Sequence, residues 1–331
     1  MTPPRIGFLG AGLIATYHSK SLRRSGVDVV RAGVFDPDAE RSAAFAAASG
    51  HVVMPDETSV LDSCDAVYVC TWTSEHPRLV AEAARRGIHV FCEKPLAFDT
   101  DTARRMADAV TEAGVVHQVG LVLRHSPAFL RAHELVTDPA AGRVMSVVFR
   151  DDQFIPVQGH YASTWRGDPT KAGAGTLLEH SIHDVDMIRF LVGEVAAVNG
   201  RVAYHHGIAG IEDVTSALLH FESGATGTLT SVWHDNLARP SLRRVEVFCE
   251  RRHVVVDGDD WFGPVTWTDA DGSTGTFDAT GAPFANPDGE FVRAIAEARP
   301  ASPGFDEAVA AHRIVDAVYR SARADGATET P

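Results

Sequence analysis

A glycine-rich turn near the N-terminus most constrains what this chain can fold into. Arg5–Leu9 predicts a short strand, which leads into Gly-Ala-Gly-Leu-Ile-Ala over residues 10–15 and then into a helical stretch. Strand, glycine turn and helix in this order form the G-x-G-x-x-G/A pattern of dinucleotide-binding folds. Gly10 permits the tight turn, Gly12 lets the backbone approach the pyrophosphate, and Ala15 lets the helix pack closely on the strand. The residues predicted to bind a dinucleotide here are Gly10, Gly12, Leu13 and Ile14.

The second predicted strand ends in an acid at the position expected for ribose recognition. Residues 27–35 are mostly apolar, and Asp36 follows them, 24 residues after Gly12. An acid about 20 residues beyond the glycine turn hydrogen-bonds the adenosine ribose in such folds. Because a carboxylate would repel the extra phosphate of NADP, Asp36 favours NAD. Arg41 could offset part of that charge, so NADP stays open as the cofactor.

Strands and helices alternate over the first third of the chain. Predicted strands at 65–71, 88–92 and 115–123 are separated by helical stretches, which indicates a doubly wound parallel sheet of the Rossmann type. Such sheets bind ligands at the carboxyl ends of their strands. Five residues that follow strand ends are therefore expected to contact the cofactor: Thr71, Trp72, His76, Glu93 and Lys94. For His76, helix capping or packing is an equally good interpretation, and a lone lysine in such a loop is often only solvated.

The second half of the chain has a different pattern. Strands at 215–221 and 226–233 flank a hairpin turn, and two further hairpins follow, so we expect a largely antiparallel sheet. We predict a Rossmann domain over 1–123 and an α+β domain over 124–331 with a large open-faced sheet, the last helix packing back on the first domain. Trp233, Trp261 and Trp267 are expected to line the open face, which favours packing on a second copy. Residues 325–331 are expected to fray.

One predicted helix of this half, residues 177–191, carries a row of polar side chains. Glu179, His183 and Asp186 recur at helical spacing on an otherwise apolar helix, which indicates that this row faces a cleft. His180 and Asp184 form a second pair on the adjacent face. Glutamate, histidine and aspartate also ligate metals. We nevertheless predict no metal, because the glycine turn already implies a redox cofactor.

Composition excludes several classes of protein. The formal net charge of −14 argues against binding nucleic acid or an anionic membrane. The four cysteines are scattered without a CxxC pair, as expected in a reducing cytosol. No apolar run approaches the ~20 residues of a membrane span, and no signal peptide is apparent. We therefore expect a cytoplasmic protein with a small-molecule substrate.

These motifs together resemble the Gfo/Idh/MocA oxidoreductase family, which contains glucose–fructose oxidoreductase and inositol dehydrogenases. The resemblance rests on the glycine turn with His18 beyond it, on Asp36, on Thr71 with His76, on Glu-Lys-Pro-Leu at 93–96, and on the helix at 175–186. It implies NAD(P)-dependent hydride transfer between the cofactor and a hydroxyl or carbonyl of a sugar, inositol or related polyol. It also implies a homodimer or homotetramer formed through the open sheet.

The resemblance further implies which residues act. Lys94 matches the family's catalytic lysine and His183 its catalytic histidine. Many members carry an aspartate four residues before that histidine, where this chain has Glu179. In the resulting hypothesis His183 takes the hydroxyl proton, Lys94 stabilises the oxygen, and Glu179 orients the substrate or His183. Asp186 either binds substrate or pairs with Lys94. Further candidate substrate contacts are Arg124, His160, Tyr161, Trp165 and Arg166.

Two other classes of function are compatible with these residues. One is an enzyme of the same family that uses tightly held NAD as an internal relay for glycoside cleavage or epimerisation, without net redox. The other is a non-enzymatic NAD-binding regulator, against which the presence of both Lys94 and His183 argues. Net reduction of free NAD by substrate distinguishes a dehydrogenase from both.

Overall fold

The chain divides into two units, and the first is built from two separate stretches. Met1–Leu121 and Asn286–Val309 form the first unit, and Val122–Ala285 and Ala310–Pro331 form the second. The chain thus returns to the first unit well beyond the boundary expected at residue 123. The structure is a computed structural model that describes residues 2–159, 162–236, 238, 241–258, 263–282 and 285–331.

Strands and helices of the described residues have the following bounds. The strands are β1 (Arg5–Leu9), β2 (Val30–Phe35), β3 (Val52–Val53), β4 (Ala66–Val69), β5 (His89–Cys92), β6 (His117–Val119), β7 (Val144–Phe154), β8 (Val195–Ala203), β9 (Val214–Phe221), β10 (Thr226–His234), β11 (Leu242–Cys249), β12 (Arg252–Gly258), β13 (Val265–Asp269) and β14 (Thr274–Phe277). The helices are α1 (Leu13–Arg24), α2 (Ala39–Ser49), α3 (Glu57–Ser63), α4 (His76–Arg85), α5 (Thr100–Glu112), α6 (Pro127–Thr137), α7 (Pro169–Ala172), α8 (Thr176–Glu179), α9 (Ile182–Val192), α10 (Pro287–Glu297) and α11 (Phe305–Arg323).

The first unit contains a parallel sheet of six strands in the order β3-β2-β1-β4-β5-β6. Its central strands β1, β4 and β5 are almost entirely buried, as expected for parallel strands covered on both faces. Side chains of Asp38, Asp56 and Asp99 cap the N-termini of α2, α3 and α5. The predicted doubly wound fold is confirmed, and its strand order reverses between β1 and β4, where such sheets bind ligands.

The last strand of this sheet is shorter than predicted. The sequence indicates a strand over 115–123, but β6 has three residues, and Val122–His125 form a 3₁₀ turn of the second unit. The amide of Val119 donates to the carbonyl of Pro303, so a loop pairs with the strand's end. As an edge strand, β6 has a neighbouring strand only on the β5 side, and its apolar pattern therefore overstates its length.

The second unit contains a sheet of eight strands in the order β14-β13-β12-β11-β7-β10-β9-β8. Every neighbouring pair is antiparallel except β7 and β10, which run parallel. The three predicted hairpins, β9–β10, β11–β12 and β13–β14, are all present. The predicted large and mostly antiparallel sheet is confirmed. No described helix of either unit is long and apolar enough to cross a membrane.

Two elements of the second unit differ from those expected from the sequence. One is α6, which has no predicted counterpart, although its apolar residues recur at helical spacing. The predicted helix over 177–191 is split into α8 and α9. Its break lies at Ser181, whose amide bonds the carbonyl of Thr176 and whose hydroxyl donates to Ser231 at 2.5 Å. A side chain that bonds a neighbouring strand at this point replaces the regular helical geometry.

The two tryptophans of this prediction that the structure describes, Trp233 and Trp267, do not line the open face. Trp233 is 1% exposed and packs in a core cluster, because its side chain points to the covered face of β10. Trp267 on β13 is half-buried. The guanidinium carbon of Arg131, a residue of α6, lies 5.2 Å from the centre of its ring. Trp261 lies outside the described residues.

The C-terminal tail is ordered by pairing, against the expectation of fraying. Val198 and Glu329 exchange two backbone hydrogen bonds of 2.8 and 2.9 Å at the edge strand β8. The side chain of Arg320 also bonds Glu329, at 3.1 Å. An edge strand offers unpaired backbone groups, and the tail satisfies some of them.

A buried ionic cluster ties α9 to the sheet. Arg243 on β11 donates to Asp151 on β7 at 2.8 Å and to Asp184 on α9 at 2.7 Å, and all three side chains are at most 3% exposed. His180 lies 2.7 Å from the same carboxylate of Asp151. Burial opposes charge on Asp151, but Arg243 and His180 outweigh it and hold the pKa of Asp151 below its usual range. Burial, aided by the charge of Asp151, raises the pKa of Asp184 well above its usual range.

Replacing Arg243 by leucine should therefore destabilise the protein strongly. The variant leaves two buried carboxyl groups without their cation, a loss of about 3–5 kcal/mol in the free energy of unfolding. Urea unfolding of Arg243→Leu measures it. Arg244→Leu is the matched control, because this next residue points to the outer face of the same strand, where its side chain is 38% exposed and pairs with Glu246. Its loss should stay within about 1 kcal/mol. Equal losses in the two variants would contradict the role of the cluster.

Candidate active site

The glycine turn brings β1 against the end of β4. Gly10 has a φ of +91°, a conformation that L side chains rarely adopt, and a Cβ there would lie 2.4 Å from the carbonyl oxygen of Cys70. The amide of Gly10 donates to Phe35 at the end of β2, at 2.8 Å. Only glycine allows the turn to pass this close to the neighbouring strand.

The start of α1 fits the pyrophosphate of a dinucleotide. A Cβ added at Gly12 would meet no described atom within 4 Å, so there is room next to this backbone. Among the described residues no side chain caps the first turn of α1. Leu13 and Ile14, the first two helical residues, are 70% and 39% exposed. Open amide groups at a helix N-terminus bind phosphate groups, so these residues fit the predicted cofactor.

Asp36 is held beside this turn. One carboxylate oxygen accepts from the amide of Ala11 and the other from the amide of Asp38, both at 2.9 Å. Each oxygen has a second lone pair that can accept from a ribose hydroxyl. Arg41 pairs with Asp38 at 3.2 Å at an exposed position. The geometry fits the ribose role predicted for Asp36.

The loop after β4 contains three of the predicted cofactor contacts, and they differ in exposure. Thr71 is half-buried and Trp72 is 38% exposed, whereas His76 is 1% exposed. The ring of His76 lies with Nδ1 3.0 Å from the carbonyl of Pro95 and with Nε2 3.3 Å from that of Thr71. Burial lowers the pKa of His76. His76 thus ties two loops together from inside, which supports the packing interpretation of this residue.

Glu93 and Lys94 follow β5 at the same edge of the sheet. The amide of Glu93 donates to Val69 at 3.0 Å, which continues the β4–β5 ladder into the loop. Lys94 is half-buried, and the bond between Lys94 and Pro95 is cis. The carboxylate of Glu93 accepts from the amide of Lys94 at 3.2 Å and from Nε2 of His18 at 2.7 Å. Lys94 therefore leaves the sheet next to a carboxylate that is bonded on both of its oxygens.

His18 and Asp288 belong to this arrangement, and sequence reasoning missed their role. Nδ1 of His18 lies 2.7 Å from Asp288 on α10, and both side chains are fully buried. Burial alone would lower the pKa of His18, but Asp288 and Glu93 together raise it to about 10. In the sequence His18 stands out only as part of the family motif, and Asp288 is separated from it by 270 positions, so no local pattern connects them.

In the second unit, the side chains of Glu179 and Arg166 are in contact. Each of them is predicted separately from the sequence as a site residue. Nε of Arg166 donates to Glu179 at 2.9 Å and Nη1 donates to Ser163 at 3.0 Å. The guanidinium carbon lies 4.7 Å from the centre of the Trp165 ring. Glu179 is 3% exposed, and its buried carboxylate orients the guanidinium of Arg166 through this hydrogen bond.

Asp186 pairs with Arg124, a partner that the sequence did not indicate. The guanidinium donates two hydrogen bonds of 2.8 Å to the two carboxylate oxygens, and Asp186 is 1% exposed. Such a bidentate pair is strong and geometrically specific. The two carboxylates of the expected polar row therefore bond different arginines, Glu179 bonding Arg166 and Asp186 bonding Arg124. His183, the third member of the row, is half-buried in the first turn of α9. His160 and Tyr161 lie outside the described residues.

The loop before α8 is held by Glu212, which sequence reasoning also missed. Its buried carboxylate accepts from the amides of Gly175 and Leu177, at 2.7 and 2.9 Å, and from the hydroxyl of Tyr319 at 2.7 Å. A Cβ at Gly175 would lie 1.9 Å from the carbonyl oxygen of Glu212. This carboxylate therefore fixes where the helix that carries Glu179 begins.

Potential metal ligands do not converge in the part of the chain that the structure describes. There, no three histidine, cysteine, aspartate or glutamate side chains form a group that could hold a metal ion. All four cysteines are buried and unbridged. Nε2 of the candidate ligand His180 lies 2.7 Å from the carboxylate of Asp151.

Comparison with known proteins identifies the family. Residues 4–121 match the model of an oxidoreductase family with an NAD-binding Rossmann fold, and residues 129–255 match the GFO/IDH/MocA C-terminal domain. The chain belongs to the Gfo/Idh/MocA oxidoreductase family. The predicted family, the oxidoreductase class and the NAD-type cofactor are thereby confirmed.

Relatives with established names match over much of their length. The 1,5-anhydro-D-fructose reductase of Ensifer adhaerens is 32% identical over 228 residues, which are 66% of each chain. Inositol 2-dehydrogenase of Rhizobium meliloti (strain 1021) is 28% identical over 346 residues, which cover 96% of each chain. The structure of GenD2 from gentamicin A biosynthesis in complex with NAD has a TM-score of 0.85 at 26% identity, covering 100% of this chain and 97% of that one.

The raised pKa of His18 predicts a pH dependence of stability. The folded state holds this proton up to about pH 10, whereas an ordinary histidine releases it near 6.5. The stability from this proton is therefore fully present below pH 6.5 and lost as the pH rises through about 10. Urea unfolding across this range should show the gap between wild type and His18→Gln shrinking as the pH rises.

His51 supplies the opposite control. Burial first, and then the charge of Arg31, lower the pKa of His51 to about 4. Its proton binds the unfolded chain more readily, so the difference in stability between wild type and His51→Gln should vary with pH only between 6.5 and 4. A gap between wild type and His18→Gln that does not change with pH would refute a charged His18.

Proposed function

We propose that this chain is an NAD-dependent dehydrogenase or reductase that acts on a CH–OH group of a neutral sugar, inositol or related polyol. The observation that carries the proposal is the placement of Lys94 at the carboxyl end of β5. The glycine turn and Asp36 follow β1 and β2 at the same edge of the sheet. A cation at the ligand-binding edge of a dinucleotide fold is suited to act on a substrate oxygen.

The residues that would hold the cofactor are those at the strand ends. The start of α1 with Gly10 and Gly12 would hold the pyrophosphate, and Asp36 the adenosine ribose. Because Asp36 keeps its carboxylate beside the turn, we propose NAD in preference to NADP. When bound, the nicotinamide supplies the acceptor or donor of hydride.

Two side chains would handle the substrate hydroxyl. Lys94 donates a hydrogen bond to the substrate oxygen and stabilises the negative charge that develops as the O–H proton leaves. His183 accepts that proton during oxidation and returns it during reduction. Neutral imidazole suits this task near pH 7. The product of oxidation is the corresponding carbonyl compound.

The pairing of the arginines supports an uncharged substrate. Arg166 is paired with Glu179, and Arg124 with Asp186, so carboxylates already offset both guanidinium charges. A guanidinium next to a carboxylate offers both donors and acceptors, which matches hydroxyl groups that do both. The names of the two curated relatives, an anhydrofructose reductase and an inositol dehydrogenase, support the same substrate class.

NADH fluorescence tests the proposed reaction. The protein with free NAD and a panel of neutral polyols, inositols and sugars should form NADH continuously, and matched sugar acids should be poorer substrates. Lys94→Ala should lower kcat/KM by about 10²–10³-fold, as for loss of an oxyanion donor. His183→Asn should lower it by about 10²–10⁴-fold, the usual contribution of a general base. NADH affinity should persist in both variants.

Lys20→Ala is the matched control for the lysine. This exposed lysine on α1 belongs to the same unit, and its removal should leave turnover unchanged. Substrate consumption without net NADH would instead establish an internal NAD relay. NADH binding without any conversion of the panel would favour the regulator, and full turnover in Lys94→Ala would refute the role of this lysine.

We also propose that the outer face of the large sheet joins two copies of the chain. Leu218, Thr228 and Val148 are directly opposite one another on β9, β10 and β7, and Leu218 and Val148 are each 42% exposed. Glu246 and Val255 continue this row on β11 and β12. A broad sheet face that presents the apolar side chains of Leu218, Val148 and Val255 in one row is suited to packing against its own symmetry mate.

Lysine substitutions test this assembly. Val148→Lys combined with Leu218→Lys should lower the mass measured by sedimentation equilibrium to that of a smaller species, because each lysine would be buried opposite a like charge. Val52→Lys, at a valine of β3 that is 57% exposed, is the control and should leave the mass unchanged. A wild-type chain that is monomeric at all concentrations would overturn the proposal.

A further inference from the structure

Three charged side chains form a buried chain beneath the turn that carries Lys94. Asp288 on α10, His18 on α1 and Glu93 after β5 are joined by contacts of 2.7 Å at each ring nitrogen. The side chains of His18 and Asp288 are 0% exposed, and that of Glu93 is 9% exposed. The three residues come from distant parts of the sequence and meet only in the folded first unit.

Charge fixes the direction of these hydrogen bonds. Both carboxylates accept, and only a protonated imidazole has two N–H donors to serve both of them. The hydroxyl of Tyr68 lies near Asp288, and burial followed by the charge of this carboxylate raises the pKa of Tyr68. The arrangement leaves His18 one protonation state and one orientation. Charge-assisted hydrogen bonds of this kind hold geometry tightly.

The chain of contacts continues to Lys94 through Glu93. One oxygen of Glu93 binds His18 and the other accepts the backbone amide of Lys94 at 3.2 Å. The amide of Gly120 donates to Cys92 at 2.8 Å, and a Cβ on Gly120 would lie 2.5 Å from Glu93 Oε1. A glycine at this position therefore leaves the space that the carboxylate occupies. The backbone of Lys94 begins at a group that cannot shift without breaking the buried chain.

Stability alone does not account for these charges. Replacing a buried ion pair by apolar residues of similar volume often leaves stability unchanged or improves it. A catalytic side chain, by contrast, must be held to within about 0.5 Å by the residues around it. The free-energy cost of burying three ionised groups is explained if these groups fix the position of a reacting side chain.

We propose that His18 and Asp288 are positioning residues that act through Glu93 to place Lys94. The proposal rests on the proposed function of Lys94 in turnover. According to the proposal, His18, Asp288 and Glu93 affect the catalytic step and have little effect on cofactor binding. His76 fixes the other side of the same turn through its contact with the carbonyl of Pro95. A change at Glu93 should therefore move the backbone at Lys94, while the turn stays fixed at Pro95.

A double-mutant cycle tests the proposal in the full-length protein. His18→Gln should lower kcat by about 10- to 100-fold, the range expected when a catalytic group is misplaced by up to ~1 Å. The Kd for NADH should change less than about threefold, because the glycine turn and Asp36 are untouched. In a Lys94→Ala background, His18→Gln should cost little further activity, because it acts through the lysine already removed. Asp288→Asn should reproduce this pattern and serves if His18→Gln does not fold.

Selective labelling of lysine gives a readout independent of activity. The chain has three lysines, Lys20, Lys94 and Lys171, so ¹⁵N-lysine spectra contain few signals, and Lys94→Arg assigns the one of interest. His18→Gln and Asp288→Asn should shift the amide signal of Lys94 and leave those of Lys20 and Lys171 in place. His51→Gln, at a buried histidine of the same unit that packs on Phe8, is the matched control and should shift none of the three.

The outcomes separate this proposal from the one on which it rests. Unchanged kcat and an unshifted Lys94 amide in both variants, with Lys94→Ala inactive, would overturn the positioning role alone. Losses that simply add in the double variant would also overturn it, since they would show action independent of Lys94. Full turnover in Lys94→Ala would remove the catalytic role of the lysine, and the positioning proposal with it.

Discussion

The first unit depends on the missing side chain at Gly10. Because no Cβ stands there, the turn after β1 passes within contact distance of the carbonyl of Cys70, and β1 and β4 become neighbours at the point where the strand order reverses. The ladder then continues strand by strand, from the amide of Glu93 to Val69 and from that of Gly120 to Cys92. The close approach of Gly10 to Cys70 therefore helps to place the glycine turn and Lys94 at the same edge of the sheet.

Buried charges support the candidate residues in both units. In the first, the imidazolium of His18 lies between Asp288 and Glu93 under the Lys94 turn. In the second, Arg243 joins Asp151 to Asp184 on α9, one residue after His183. Each cluster incurs a desolvation cost that an apolar core would avoid. What such clusters provide is a fixed orientation, because a charged group with directed hydrogen bonds has few alternative positions.

Sequence patterns predicted elements better than their details. The glycine turn, the alternation in the first third of the chain and the three hairpins all appear in the structure, since each is set by residues close together in the chain. Helix α6 carried an adequate signal and was still missed. The break at Ser181 and the pairing of Glu329 with β8 have no local signal, because both depend on a partner strand that lies elsewhere in the sequence. Trp233 was misplaced because a strand's two faces look alike until one is covered.

The sequence by itself determined the class of fold, the cofactor turn, and the residue types available at the strand ends, including Asp36, Glu93 and Lys94. Those features follow from backbone geometry and periodicity over at most a few dozen residues. Only the tertiary structure decided which charges pair: Asp288 with His18, Arg166 with Glu179, and Arg124 with Asp186. The physical reason is that a buried ion must find a partner in space, and the folded chain brings partners together from positions up to 270 residues apart.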